Sequence, residues 1–238
     1  DDTDFPIPPI VQPSFIPINE IAPNAYGPDK TQNGLNYQEN GYNGGVIFNN
    51  QAQGDYTAHV SGNPVPNTSE TRIVPWASHG NGGNDISNRN SAFVNGGENF
   101  TVRINGYLDM SALAPGTYNI HQGGDDTNYF IMDTEADGQV IAQHNCCPGN
   151  QATSFTITEP GIFPFDNVFG EQGGGDWYDV GISGPGITGI VALGDTERGS
   201  PPVYPIALSQ VDSDSDSLPD GWETLWDAIT DLDQLSGT

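Results

Sequence analysis

The sequence predicts an all-β protein: an antiparallel β-sandwich, preceded by an extended Pro-rich arm and followed by an acidic segment with a short helix. Three observations carry this. The stretch "FTVRINGYL" alternates Phe100, Val102 and Ile104 against Thr101, Arg103 and Asn105, a period of two. Further short stretches, "GTYNIHQ", "NYFIMD", "QVIAQH", "SFTITE" and "WYDVGIS", are divided by the turn-forming "APG", "GGDD", "EADG", "CCPGN" and "EQGGGD". The 31 Gly and 19 Pro leave little room for long helices, and many short strands without amphipathic helices close as a sandwich or barrel.

The elements follow in order. Residues 1–33 place a Pro every few residues, which excludes helix. Yet Phe5, Ile7, Ile10, Val11, Phe15, Ile16, Ile18 and Ile21 are too apolar for a solvated linker. Such an arm either packs along its own domain or docks on a neighbouring copy by adding a strand to an open sheet edge. Residues 34–184 hold the strand-turn pattern and form the sandwich. Residues 185–210 read as a loop-rich connector with a strand such as "GIVAL". Residues 211–238 hold the acidic segment and then a helix from Pro219, with Trp222, Leu225, Trp226 and Ile229 at helical spacing.

A chain of 238 residues makes one large domain or a medium one with appendages. Five basic against 31 acidic residues give a net charge of −26. Such a chain repels nucleic acids and anionic membranes, so neither is expected as a partner. Charged residues are only 15% and aromatics reach 10%, so this is no charged disordered tail. No apolar run reaches the roughly eighteen residues a membrane span needs. The chain begins at Asp1 without a Met, which fits a mature form after cleavage or an excised fragment. The acidic, Lys-poor composition suits a secreted or cell-surface protein in calcium-rich surroundings.

The segment "DSDSDSLPDGWE" repeats aspartate on alternate residues. Laid on a twelve-residue calcium-loop template, Asp212, Asp214 and Asp216 take the first, third and fifth positions. Leu218 offers a backbone carbonyl at the seventh, Asp220 stands at the ninth and Glu223 closes the loop from the first turn of the helix. Hard oxygens at this spacing wrap a Ca2+ ion, whose charge offsets their mutual repulsion. The pattern, with Leu218-Pro219-Asp220 and Trp222-Glu223, resembles the EF-hand-like loops of dockerins and of bacterial thrombospondin type-3-like repeats. It departs from them at the sixth position, where Ser217 replaces the usual Gly.

A second resemblance covers residues 34–184. "FTVRINGYLDMSALAPGTYNIHQGGDDTNYFIMD" and the later "GIFPFDNVFGEQGGGDWYDV" are similar, in order and spacing, to the protective-antigen-fourteen domain family. The resemblance implies a β-sandwich. In the flocculin-type adhesin branch it further implies sugar binding through a Ca2+ ion, held by an Asp-Asp pair with a cis peptide and completed by a second loop. Carried over, Asp125 and Asp126 match the pair; Glu171 and Gln172 stand where the second loop supplies a side chain, with Asp176 close by. This chain lacks the Asn that the adhesin branch has there. Trp177 and Tyr178 either offer faces to a sugar or belong to the core.

Other candidates carry less. Cys146 and Cys147 are adjacent and are the only cysteines, so they cannot staple distant strands. A vicinal disulfide, an intermolecular bond or free thiols are open, and an oxidising compartment favours the vicinal ring. With His144 they lack a fourth ligand for a soft-metal site. His59, His79, His121 and His144 show no catalytic spacing, and no nucleophile or phosphate-loop motif occurs. Asn67 and Asn99 open glycosylation sequons. The reading is a secreted, non-enzymatic, calcium-dependent carbohydrate-binding module with extracellular glycans as partners. The alternative is a calcium-stabilised structural subunit or spacer of an extracellular filament or surface layer, linking copies of itself through residues 1–33. For the C-terminal loop, Glu223→Ala is expected to remove one calcium from the stoichiometry measured by calorimetry; an unchanged stoichiometry refutes the assignment.

Overall fold

The alternating stretches become two packed antiparallel sheets. The computed structural model describes residues 28–43, 51–80, 89, 91–94, 97–134 and 138–206. Residues 1–27 of the arm lie outside these, as does the acidic loop with Asp212, Asp214, Asp216, Leu218, Asp220 and Glu223.

In chain order the elements are β1 (Leu35–Gly41), α1 (Ala52–Ser61), β2 (Thr68–Val74), β3 (Ser78–Gly80), β4 (Phe100–Asp109), β5 (Gly116–Asp125) and β6 (Thr127–Thr134). There follow β7 (Gly138–His144), β8 (Gly149–Ile157), β9 (Ile162–Glu171), β10 (Trp177–Gly184), β11 (Ile187–Ala192) and β12 (Val203–Tyr204). The larger sheet runs β2-β1-β4-β9-β6-β7, with β12 also paired to β4. The smaller runs β11-β10-β5-β8, with β3 also paired to β10. Every strand pair is antiparallel.

Period two places alternate residues inside. Phe100, Val102 and Ile104 of β4 point into the core with Phe130, Phe165 and Phe169, against Tyr118, Ile120, Val180 and Ile182 of the smaller sheet. Each such side chain contributes on the order of 1.5–3 kcal/mol by leaving water.

Two expectations are corrected. A helix, α1, lies within the region read as strands and turns. Its buried residues are Ala52, Asp55, His59 and Val60, so half of its buried face is polar and shows no apolar periodicity. It ends at Gly62, whose φ of 61° is the left-handed conformation glycine adopts freely. Residues 185–206 are more than a connector: β11 and β12 extend the two sheets, and Val191, Leu193 and Val203 join the core.

The polar face of α1 packs on the outer face of the larger sheet. There Arg103 holds Asp166 with two side-chain nitrogens, Nη2 at 2.6 Å and Nε at 2.9 Å. The Tyr56 hydroxyl of α1 donates to the same carboxylate at 3.1 Å. His59 Nδ1 lies 2.6 Å from Thr101 Oγ1, and burial, reinforced by the Arg103 charge, pushes its pKa down to about 3, so the ring stays neutral. Both members of the ion pair are largely buried, so removing one strands the other. Asp166→Asn is expected to cost ~3–5 kcal/mol, read as a lowered denaturation midpoint; a loss under ~1 kcal/mol would show the pair to be solvated.

Candidate functional site

Three links carry the chain between the sheets at one end of the sandwich. A single residue, Asp126, joins β5 to β6. Asn145–Pro148 join β7 to β8, and Gln172–Asp176 join β9 to β10. Strand register brings them together: Asp125 opposes Trp177, Thr127 opposes Gly170, Asn128 opposes His144, and Gly124 opposes Gly149. The sandwich candidates Asp125, Asp126, Glu171, Gln172 and Trp177 thus lie at the same end of the sandwich.

The Asp125–Asp126 peptide is cis. Asp126 is 6% exposed; its Oδ2 accepts the Gln172 N–H at 2.8 Å and its Oδ1 lies 3.7 Å from Cys146 Sγ. Gln172 thus meets the Asp126 carboxylate through its backbone N–H. The Asp125 carboxylate reaches over the glycine loop: a Cβ on Gly175 would stand 3.1 Å from its Oδ2. Burial, then the Asp126 charge, raises the Asp125 pKa.

Glu171 ends β9 with 0% exposure, and no side chain is hydrogen-bonded to its carboxylate; the group that approaches it is the Gly173 backbone N–H. Burial pushes its pKa up to about 9; the charges of Asp126, Asp125 and Asp176 add to this, and the Gly173 N–H works against it. On the other side of the turn Asp55 is 1% exposed. Its Oδ2 accepts the Thr127 hydroxyl and its Oδ1 has no partner. Burial and the Asp126 charge raise its pKa to about 7, against the Thr127 hydrogen bond. Gly170 makes this seat possible, because a Cβ there would overlap the Asp55 carboxylate and Thr127 Oγ1.

No base answers these carboxylates. Arg103 pairs with Asp166, Arg89 with Asp195 and Glu197, and Arg198 with Asp195. Arg72 lies over Tyr37 and Lys30 over Tyr204. These are all five basic residues of the chain. A buried, unpaired carboxylate is costly unless it is protonated or meets a cation. Carboxylate oxygens are the donor type a hard divalent cation such as Ca2+ takes, although Asp125, Asp126 and Glu171 do not form a group with ligand atoms all within 4.8 Å of one another.

Cys146 and Cys147 form a disulfide with each other, the vicinal ring favoured from sequence. Among the described residues, the ligand-type atoms lying mutually within 4.8 Å are those of Asp126 and these two cysteines. The sulfurs, tied to each other, are not thiolates and offer no soft-metal site. Tyr178 has 0% exposure, belongs to the core cluster and is hydrogen-bonded to His79 Nδ1 at 3.0 Å. It presents no face to a ligand, which corrects one of its two readings. Trp177 is 5% exposed, its ring packed over Gly123. Sequence reasoning missed Asp55 and Thr127 as neighbours of the pair. Nothing local signals Asp55, since its hydrogen bond to Thr127 spans 72 residues.

No protein-family model matches the chain, and no curated protein matches it. Solved structures do. The A domain of epithelial adhesin 9 from Candida glabrata, in complex with Galβ1-3GlcNAc, is 12% identical with a TM-score of 0.52, over 77% of this chain and 94% of that one. The fold is the protective-antigen-fourteen-like β-sandwich. A subtype-switched epithelial adhesin 9-to-1 A domain, from the same organism and in complex with β-lactose, shows the same sandwich at 13% identity and TM-score 0.52, over 77% and 92%. The PA14 domain of the antifreeze protein MpAFP is 19% identical with a TM-score of 0.49, over 72% and 90%.

Glu171 gives this sandwich a pH signature in the metal-free state. Its folded pKa, about 9, stands above the unfolded value of 4.5, so the folded form keeps a proton that the unfolded form releases. The group's favourable contribution is complete below about pH 4.5 and is lost as pH rises through 9. In chelator, the melting temperature should fall over that window, with a slope from this group of at most ~1.4 kcal/mol per pH unit. Glu171→Gln should flatten the fall. A wild-type profile already flat in chelator contradicts the orphaned carboxylate.

Proposed function

We propose that this protein is a secreted or cell-surface carbohydrate-binding module of the adhesin type, binding glycans in a calcium-dependent, non-enzymatic way. One observation carries the reading: the Glu171 carboxylate is wholly buried with no side-chain partner, beside a cis Asp125–Asp126 turn, at an end where all five bases are committed elsewhere. The adhesin domains that share the fold are seen in complex with Galβ1-3GlcNAc and β-lactose, which supports a glycan as partner.

Asp125, Asp126 and Glu171 would hold the ion, and the Gln172 N–H fixes the Asp126 carboxylate in place. A bound Ca2+ supplies coordination positions that vicinal sugar hydroxyls can occupy in place of water. Asp55 adds negative charge from beneath, through α1. Gly173–Gly175 are exposed, which keeps the outer side of the site open. No helix among the described residues is long and apolar enough to cross a membrane. A second calcium, at Asp212, Asp214, Asp216, Leu218, Asp220 and Glu223, is proposed on the sequence alone, as is self-association through residues 1–33.

A glycan array that includes Galβ1-3GlcNAc and β-lactose, probed in calcium and then in chelator, tests the reading. Binding in calcium should be abolished by chelator. Asp126→Asn should lose glycan binding and one calcium while keeping the far-UV spectrum of the fold. Binding that survives chelator, or a complete lack of glycan binding together with self-assembly in calcium, overturns it in favour of the structural subunit.

A further inference from the structure

We propose that the Cys146–Cys147 disulfide ring is a ligand-contacting wall of the glycan site, the apolar surface on which the C–H face of the sugar packs. This rests on the glycan-binding reading above. The ring lies in the second crossing link, with Cys146 Sγ 3.7 Å from Asp126 Oδ1. Cys146 is half-buried and Cys147 exposed, so the ring reaches the surface beside the carboxylate pair.

Its place in the chain says what it is not for. A disulfide stabilises by closing a loop in the unfolded chain, and the effect shrinks as the loop shortens. Here the two cysteines are adjacent, so the bond restrains almost nothing beyond its own ring. Nor does it join the sheets, since hydrogen bonds already seat the link: the Asn145 side-chain carbonyl accepts the Ala52 N–H at the start of α1, at 2.8 Å. The His144 ring just before it packs on Gly149, where a Cβ would collide with it.

A sugar site also needs what the aromatic pair was expected to supply. Such sites combine a few placed polar groups with apolar surface. Tyr178 is wholly in the core and Trp177 is 5% exposed, so neither presents a ring face. The disulfide offers polarisable sulfur and methylene surface, gives no hydrogen-bond donor and does not ionise. It therefore leaves Asp126 to a hard cation while facing the ligand with apolar atoms. Because it is fixed by its own bond, it loses little freedom when a ligand packs against it.

The test separates ion from glycan. Calcium binding is measured by calorimetry, and glycan binding by surface capture of neoglycoproteins carrying β-galactosides and, separately, α-mannosides. The Cys146→Ser/Cys147→Ser double variant should keep calcium affinity within about twofold and lose glycan affinity by about tenfold or more, the share of one apolar contact face. Equal glycan affinity in variant and wild type overturns the wall. Wild-type protein that binds neither neoglycoprotein overturns the glycan reading, and the wall with it. Should the double variant fail to fold, wild-type protein is treated with dithiothreitol at constant calcium. The reagent is oxidised to its cyclic disulfide as the two thiols form. Glycan capture should fall on reduction and return on reoxidation; capture that ignores the treatment overturns the proposal.

Discussion

Negative charge that the protein cannot neutralise with its own side chains governs this molecule. Five bases serve a chain with 31 carboxylates, and each base is used elsewhere. At the end where three links cross between the sheets, Glu171 and Asp55 are nonetheless buried with unpartnered oxygens. Buried acids without bases are tolerated either protonated or with an external cation. The surrounding structure keeps them in place: short links prevent the loops from swinging away, and strand register on both sides pins Asp125 and Thr127. The acids are thus kept at one end of the sandwich despite their repulsion, which is the arrangement the proposed cation site requires.

The same principle appears with the opposite outcome under α1. There the buried charges are matched internally, Arg103 against Asp166, with Tyr56 completing the carboxylate's hydrogen bonds. One buried acid is answered by an arginine and another, on the same strand β9, is left open. Asp166 and Glu171 thus differ in whether the protein itself supplies the opposing charge along that strand.

Much of this was legible in the sequence. Strands with one polar and one apolar face, such as Phe100–Asp109, declared themselves by alternation. That Asp125, Asp126 and Glu171 fall at the same end of the sandwich followed from motifs whose order in the chain matches the strand order. Helix α1 was not legible, since Asp55 and His59 face inward and its periodicity is one of hydrogen bonds rather than apolar area. Tyr178 was ambiguous because an aromatic after a glycine loop reads the same in core and rim; the bond to His79 settles it in the core. The cysteines were read as a ring, yet their place beside Asp126 depends on the pairing of β6 with β7, which no local pattern encodes.

The one-residue link at Asp126 has a mechanical meaning. Its flanking residues, Asp125 and Thr127, belong to different sheets, each engaged in its own ladder, to β10 on one side and to β9 on the other. A tug at Asp126 therefore loads two antiparallel ladders at once and divides between them. Neither strand can peel away singly while the other holds, so the turn works as a shared anchor point rather than the free tip of a hairpin.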